Sequence, residues 1–144
     1  MPKNNAKDID SPLIENFNKE GNRPSLWAVQ GDQLSCAASF LVAKVSTELP
    51  ITKIGEGMFE TFQKISRILA AHMLRAMALE CYLKGALLYN GEKLFDKGKL
   101  KGNYTSHNLI NYFKRLGLSP SKDEAKVLKY LTQFIYCGRY PVAK

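Results

Sequence analysis

Glu80 and Lys84 stand one helical turn apart inside the stretch Arg75–Tyr89, which is otherwise almost wholly apolar. A carboxylate with an ammonium four residues later is the favourable order for a helical ion pair. On a surface it stabilises by a few tenths of a kcal/mol. Buried, the same carboxylate must be paired or hydrogen-bonded, and Arg75, His107 and Arg139 suit it as partners. Both placements fit the residues. The scarcity of polar surface around Glu80 favours the buried one, which makes Glu80 an internal polar anchor.

The remaining chemistry-bearing residues are few. His107 could act as a general base or serve to orient a helix start. Arg139, between Gly138 and Pro141, could hold a phosphate or tie down a helix end. Tyr112, Tyr136 and Tyr140 could stack on bases, although an aromatic at helical spacing is usually core. His72 reads as a packed or half-exposed side chain. The three cysteines, Cys36, Cys81 and Cys137, form no CxxC pair and each sits among apolar residues, so they read as small buried hydrophobes. No metal site or cofactor is expected. There is no glycine-rich phosphate loop of either common type. Composition leaves room for a Ser-His-Asp or Cys-His set, but with two histidines, both on expected helices, nothing points to one. Arg139, His107 and Tyr140 are the only catalytic candidates.

Charge is uneven along the chain. Residues 1–91 hold ten Lys or Arg against nine Asp or Glu; residues 92–144 hold eleven against four. The overall net charge of +8 therefore belongs almost entirely to the last third. A localised basic surface attracts polyanions, nucleic acid above all, through phosphate contacts. Lys97, Lys99, Lys101, Lys114 and Arg115 are the candidate contacts. A solvated lysine-rich surface is the plainer alternative.

The elements that must position these residues are helical. Residues 1–22 are polar and read as a flexible or loosely docked arm with at most one short helical turn. Residues 23–144 read as one domain. Pro24 and Ser25 open a first helix running to about Leu49, with Trp27, Leu34, Ala38, Leu41 and Val45 in one stripe; Gly31 weakens it. Pro50 stops it, and residues 50–57 form a loop. A second helix runs from about Met58 to Tyr89 and is apolar on nearly all sides, as a central helix should be. Its main stripe includes Phe62, Ile65, Leu69, Ala76 and Leu83. Asn90-Gly91 ends it. Residues 92–105 form a basic, hairpin-like loop. Ser106 is the expected N-cap of a third helix to Leu116, with His107 in its first turn and Leu109, Ile110, Tyr112, Phe113 and Leu116 inward. Ser121 and Glu124 form a capping box for a fourth helix ending near Cys137, with Val127, Leu128, Leu131, Phe134 and Ile135 inward. No alternating strand pattern competes with this reading. The fold class is thus all-α, an up-and-down four-helix bundle with a short N-terminal arm or extra helix. No apolar run approaches the roughly 18 residues that span a bilayer, and the first residues carry no apolar leader, so a cytoplasmic protein with no membrane partner is expected.

Three segments carry a resemblance. Ala78-Leu-Glu-Cys-Tyr-Leu-Lys-Gly-Ala-Leu87, Ser106-His-Asn-Leu109 and Phe134-Ile-Tyr-Cys-Gly-Arg-Tyr-Pro-Val142 resemble, in order and spacing, the second to fourth helices of HEPN-domain proteins. The resemblance spans residues 25–142. It implies a helical bundle and a homodimer. Many HEPN members are metal-independent ribonucleases of toxin–antitoxin and antiviral systems, with an Arg-x4–6-His motif at the dimer interface. Others lack the motif and serve as RNA- or nucleotide-binding partners of nucleotidyltransferases. In this sequence no histidine stands at that spacing after Arg75, Arg115 or Arg139. The resemblance therefore implies a non-catalytic module that binds RNA, a nucleotide or a partner protein such as a nucleotidyltransferase or antitoxin. The alternatives are a ribonuclease whose site forms across a homodimer and a plain dimerisation scaffold.

Overall fold

A computed structural model describes residues 11–47 and 57–139, with side chains over 12–45 and 61–136. Five α-helices run in chain order: α1 (Ser11–Gly21), α2 (Pro24–Thr47), α3 (Gly57–Tyr89), α4 (Leu109–Arg115) and α5 (Lys122–Arg139). A two-stranded hairpin, β1 (Phe95–Asp96) and β2 (Lys99–Leu100), and a 3₁₀ turn at Gly102–Tyr104 fill the link between α3 and α4. The predicted stop at Leu49–Pro50, the loop at 50–57, and Tyr140 and Pro141 lie outside the described residues. The fold is mostly helical, as the spacing of apolar residues demands.

The long α3 is the organising element. Its 33 residues reach about 50 Å at the α-helical rise. One side packs along α2, and the other receives α4 and α5. Glycine lets α2 come close: a Cβ at Gly31 would lie 2.6 Å from the Tyr82 ring. The residue that weakened α2 as a helix is the one its packing needs. The core lies between α3, the hairpin, α4 and α5, where Ala76, Leu87, Leu94, Leu109, Tyr112 and Ile135 are fully buried.

Three expectations change. Of the N-terminal segment, Ser11–Gly21 forms a three-turn helix, the extra helix that the fold class allows rather than one short turn, and it docks on the hairpin. Asn22 Oδ1 accepts from the Leu94 and Phe95 amides at 2.7 and 2.9 Å, and its Nδ2 donates to the Phe95 carbonyl at 3.0 Å. Asn18 Oδ1 accepts from Gly98 at 2.9 Å. The hairpin itself has Lys97 and Gly98 at φ of 50° and 72°, the left-handed pair of a type I′ turn, with Asp96 facing Lys99.

The α4 helix starts later than expected. Asn108, not Ser106, is its N-cap, accepting from the Ile110 and Asn111 amides at 3.1 and 3.3 Å. Ser106 instead accepts from the Asn108 amide at 3.2 Å, so His107 precedes the helix. At α5 the capping box is present: Ser121 N–H donates to Glu124 Oε2 at 2.8 Å and Glu124 N–H donates to Ser121 Oγ at 3.3 Å.

The third change concerns coverage. Phe62, Ile65 and Leu69 belong to the main apolar stripe of the central helix and Val127 to the expected inward face of α5, yet all four are exposed. Spacing identifies the apolar face of a helix, but only a neighbour can bury it, and α4 is just seven residues long. Cys36 is exposed and Cys81 half-buried, so the buried reading fails for Cys36. The Cys137 side chain lies outside the described residues.

Candidate functional site

Two charge clusters and one basic surface are built from the residues singled out by sequence. The first cluster centres on Glu80. Its side chain and that of Lys84 are among the most buried in the protein, at 5% and 4% residue exposure. Lys84 Nζ donates to Glu80 Oε1 at 2.6 Å, and His107 Nδ1 lies 3.0 Å from Oε2 and 3.2 Å from Oε1. The i,i+4 pair and the buried anchor are thus one arrangement: the pair forms, and it forms inside. Lys84 Nζ also lies over the Trp27 ring at 5.3 Å and the Tyr112 ring at 5.5 Å. Cation–π contact replaces part of the hydration that the ammonium loses.

His107 joins this cluster because the segment before α4 crosses the side of α3. Tyr112 holds that segment in place, its hydroxyl sitting against the Tyr104 carbonyl at 3.0 Å and against the Ser106 carbonyl. Burial first, and then the negative charge of Glu80, push the Tyr112 hydroxyl well above its ordinary pKa. Tyr112 is therefore core, not a stacking platform. Tyr136 meets the His107 ring edge-on at 5.6 Å and is itself partly exposed, so the cluster reaches the surface through these two rings. Arg75, one proposed partner of Glu80, is exposed. Arg139 stands on α5 one turn beyond Tyr136; its side chain, like all of Tyr140, lies outside the described residues.

The second cluster absorbs Arg115. Its Nη2 donates to Glu92 Oε2 at 2.6 Å and to the Tyr104 hydroxyl at 2.7 Å, and its guanidinium lies 4.5 Å from the Tyr104 ring centre. The Tyr104 hydroxyl donates to Glu92 in turn. Burial works to raise the Glu92 carboxyl, but the bonds from Tyr104 and Arg115 outweigh it and hold it below its ordinary value. The Tyr104 hydroxyl is pushed up by burial and by Glu92. Arg115 is thereby committed to an internal network that pins the end of α4 to the end of α3.

The basic surface is the hairpin and its flank. Lys97, Lys99 and Lys101 are exposed, as is Lys114 on α4. Among the described residues none of these four pairs with an acidic side chain. The residues that position them, Asn18 and Asn22, were missed by sequence reading. The one available signal was two asparagines four apart ahead of a proline-opened helix. Among the described residues no group of His, Cys, Asp and Glu could hold a metal ion, and no helix is long and apolar enough to cross a membrane. Comparison with protein-family models, curated proteins and solved structures gives no match.

Proposed function

We propose that this chain is a HEPN-like helical domain that binds RNA through its basic hairpin without cutting it. The observation that carries the reading is the hairpin: three lysines, Lys97, Lys99 and Lys101, exposed on a turn held by four side-chain hydrogen bonds, one with Asn18 of α1 and three with Asn22 just beyond it. A held turn presents its charges without the ordering cost that a loose basic loop would meet on binding. Lys114 and the net charge of the last third extend the same field. Two groups suited to phosphate chemistry are occupied within the fold, His107 by Glu80 and Arg115 by Glu92. Arg67 and His72 stand at Arg-x4-His spacing on α3, but both are half-buried and the His72 ring packs on Tyr130 and Phe134 of α5, which favours binding over cleavage. The order of the Glu80, His107 and Arg139 segments along a mostly helical chain supports the family resemblance, and with it a toxin–antitoxin or defence-type context.

The test is fluorescence anisotropy with labelled RNA between roughly 50 and 200 mM salt. Binding that weakens with salt is expected, with a slope about three units shallower in the Lys97→Ala, Lys99→Ala, Lys101→Ala triple variant. Equal binding by the triple variant would remove the hairpin from the interface. A second reading is favoured by one contact. Glu80 orients His107 as a carboxylate orients a general base, so RNA cut by the wild type but left whole by His107→Asn would make the domain a ribonuclease instead.

A further inference from the structure

A concave groove runs from the Trp27 ring past α1 to the tip of the hairpin. At one end is a pocket of about 320 Å³, near the small end of the range for ligand sites. Three rings from three elements wall it: Phe17 of α1, Trp27 of α2 and Phe95 of β1. Phe17 meets Phe95 edge-on at 5.3 Å, and the Trp27 ring lies 6.5 Å from that of Phe95. The rings are set in place. The Trp27 indole N–H donates to the Gly21 carbonyl at 2.9 Å. Gly21 gives Phe95 its room, since a Cβ there would lie 2.6 Å from the ring. A second hollow shares Phe17 and Glu20 with the first. It continues past Leu13 and Ile14 to Gly98, the residue between Lys97 and Lys99.

We infer that the three-ring pocket takes an unpaired base, so that the RNA held by the hairpin is single-stranded. This rests on the RNA-binding reading of the hairpin lysines and names the form of RNA they hold. The first argument is the wall itself. Any base can stack on an aromatic side chain through its π-face, whereas a base inside a duplex is already stacked on its neighbours. Phe17 is 54% exposed, so its ring is open to a ligand although it also packs on Phe95. Rings already in place spare part of the ordering cost of binding. The polar groups of the wall suit a base edge as well: the Gln30 amide both donates and accepts, and the Glu20 carboxylate accepts.

The second argument is position. Phe95 and Lys97 are two residues apart, at most about 7 Å along the chain, and Lys99 follows across the turn. A base against Phe95 therefore brings the phosphates of its own strand beside the exposed lysines. The acids nearby do not oppose this. Glu20 is held by Arg23, whose Nη1 lies 3.0 and 3.3 Å from the two carboxylate oxygens. Asp96 faces Lys99 across the hairpin, and neither it nor Glu15 lines the groove. Phe17 stands ahead of residues 25–142, the span of the HEPN resemblance, so that resemblance does not supply this pocket.

The test gives the full chain three labelled probes at one salt concentration: a single-stranded RNA of about 12 nucleotides, the same strand paired with its complement, and heparin, a polyanion without bases. Trp27 is the only tryptophan, so its fluorescence reports on the pocket. Lysines alone would favour the duplex, which carries the denser charge. The single strand should instead bind at least tenfold tighter than the duplex and quench Trp27, while heparin binds without quenching. Phe17→Leu keeps apolar bulk against Phe95 but loses the ring. It should weaken single-strand binding about tenfold, as loss of one stacked base does, with the salt slope unchanged because no phosphate contact is removed. Equal affinity for single strand and duplex, or no quenching, overturns the inference and leaves the hairpin reading standing; so does a Phe17→Leu variant that binds the single strand as the wild type does. Quenching is read on the wild type, so a variant that fails to fold does not shield the inference. Wild-type binding by the triple lysine variant, with Phe17→Leu still weakened, would instead remove the hairpin and keep the pocket. RNA that binds in neither form overturns both.

Discussion

The Lys84 ammonium lies 2.6 Å from the Glu80 carboxylate with both side chains almost wholly out of water. One pair on α3 thereby connects four parts of the fold: Trp27 of α2 and Tyr112 of α4 flank the ammonium, and His107 of the linking segment bonds the carboxylate. Burying two charges costs several kcal/mol per ion before their attraction offsets it. The cluster is tolerated because every buried side-chain nitrogen and oxygen among the described residues has a hydrogen-bond partner. Its evident return is geometry: it fixes where the segment from Tyr104 to Leu109 crosses α3.

Removing one member should therefore cost far more than removing both. Lys84→Met leaves Glu80 buried with His107 alone, and Glu80→Leu leaves the ammonium with rings only. Each should lower unfolding free energy by about 3–5 kcal/mol. The double variant should cost clearly less than the sum, since well-packed apolar side chains can replace a buried pair. Urea unfolding of the four proteins completes the cycle. Additive losses would mean the pair is not coupled.

Glu80 was legible as buried because α3 offers so little polar surface around it. That Lys84 goes inside with it was not, because i,i+4 spacing is the same on the surface and in the core. Helices α2 to α5 could be read from their periodicity, with α5 carrying a capping box as well, whereas the polar α1 could not. Among the partners suited to Glu80, sequence does not separate His107 from Arg75 and Arg139, and it puts His107 inside α4, whereas Asn108 rather than Ser106 caps that helix and leaves His107 ahead of it. The hairpin was legible only as a basic, hairpin-like loop over residues 92–105, whereas its clamp depends on Asn18 and Asn22, more than seventy residues earlier. Contacts at that separation leave no periodic trace.

Asn22 should control the order of the hairpin. In Asn22→Ala the Leu94 and Phe95 amides lose the oxygen that accepts from them. A stranded, partly buried amide costs about 1–3 kcal/mol. Hydrogen exchange at residues 94–98 should speed up by at least tenfold, while exchange along α3 stays slow. If the proposed function holds, RNA affinity should also fall with every lysine still present. Unchanged exchange would show that Phe17 and Trp27, which pack on Phe95, hold the hairpin without Asn22.

Gly31→Ala tests the close approach of α2 to α3. The added methyl would lie 2.6 Å from the Tyr82 ring, so the ring must swing away. That movement breaks the 2.6 Å bond from the Tyr82 hydroxyl to Asp32. Alanine favours a helix over glycine by about 1 kcal/mol, whereas overpacking costs about 1–3 kcal/mol. The balance should be a net loss in thermal stability. Adding Tyr82→Ala to Gly31→Ala should remove the clash and leave only the helix gain from alanine at position 31, so the Gly31→Ala change measured in that background should be stabilising.

Acid should loosen the joint between α3 and α4 through Glu92. Its folded carboxyl titrates below its ordinary value, so its contribution to stability is complete above that value and lost as pH falls through the lower, folded one. Glu92→Gln cannot ionise and should lose this contribution at every pH. At neutral pH the variant should be less stable by roughly 1 kcal/mol, the modest figure expected for a partly exposed, hydrogen-bonded ion pair. Below pH 4 the gap between the variant and the wild type should close, because protonated wild type has lost the same charge. Denaturant unfolding from pH 7 to pH 3 measures both curves. Parallel curves across that range would show that the Arg115 and Tyr104 bonds to Glu92 do not contribute to holding α4 in place.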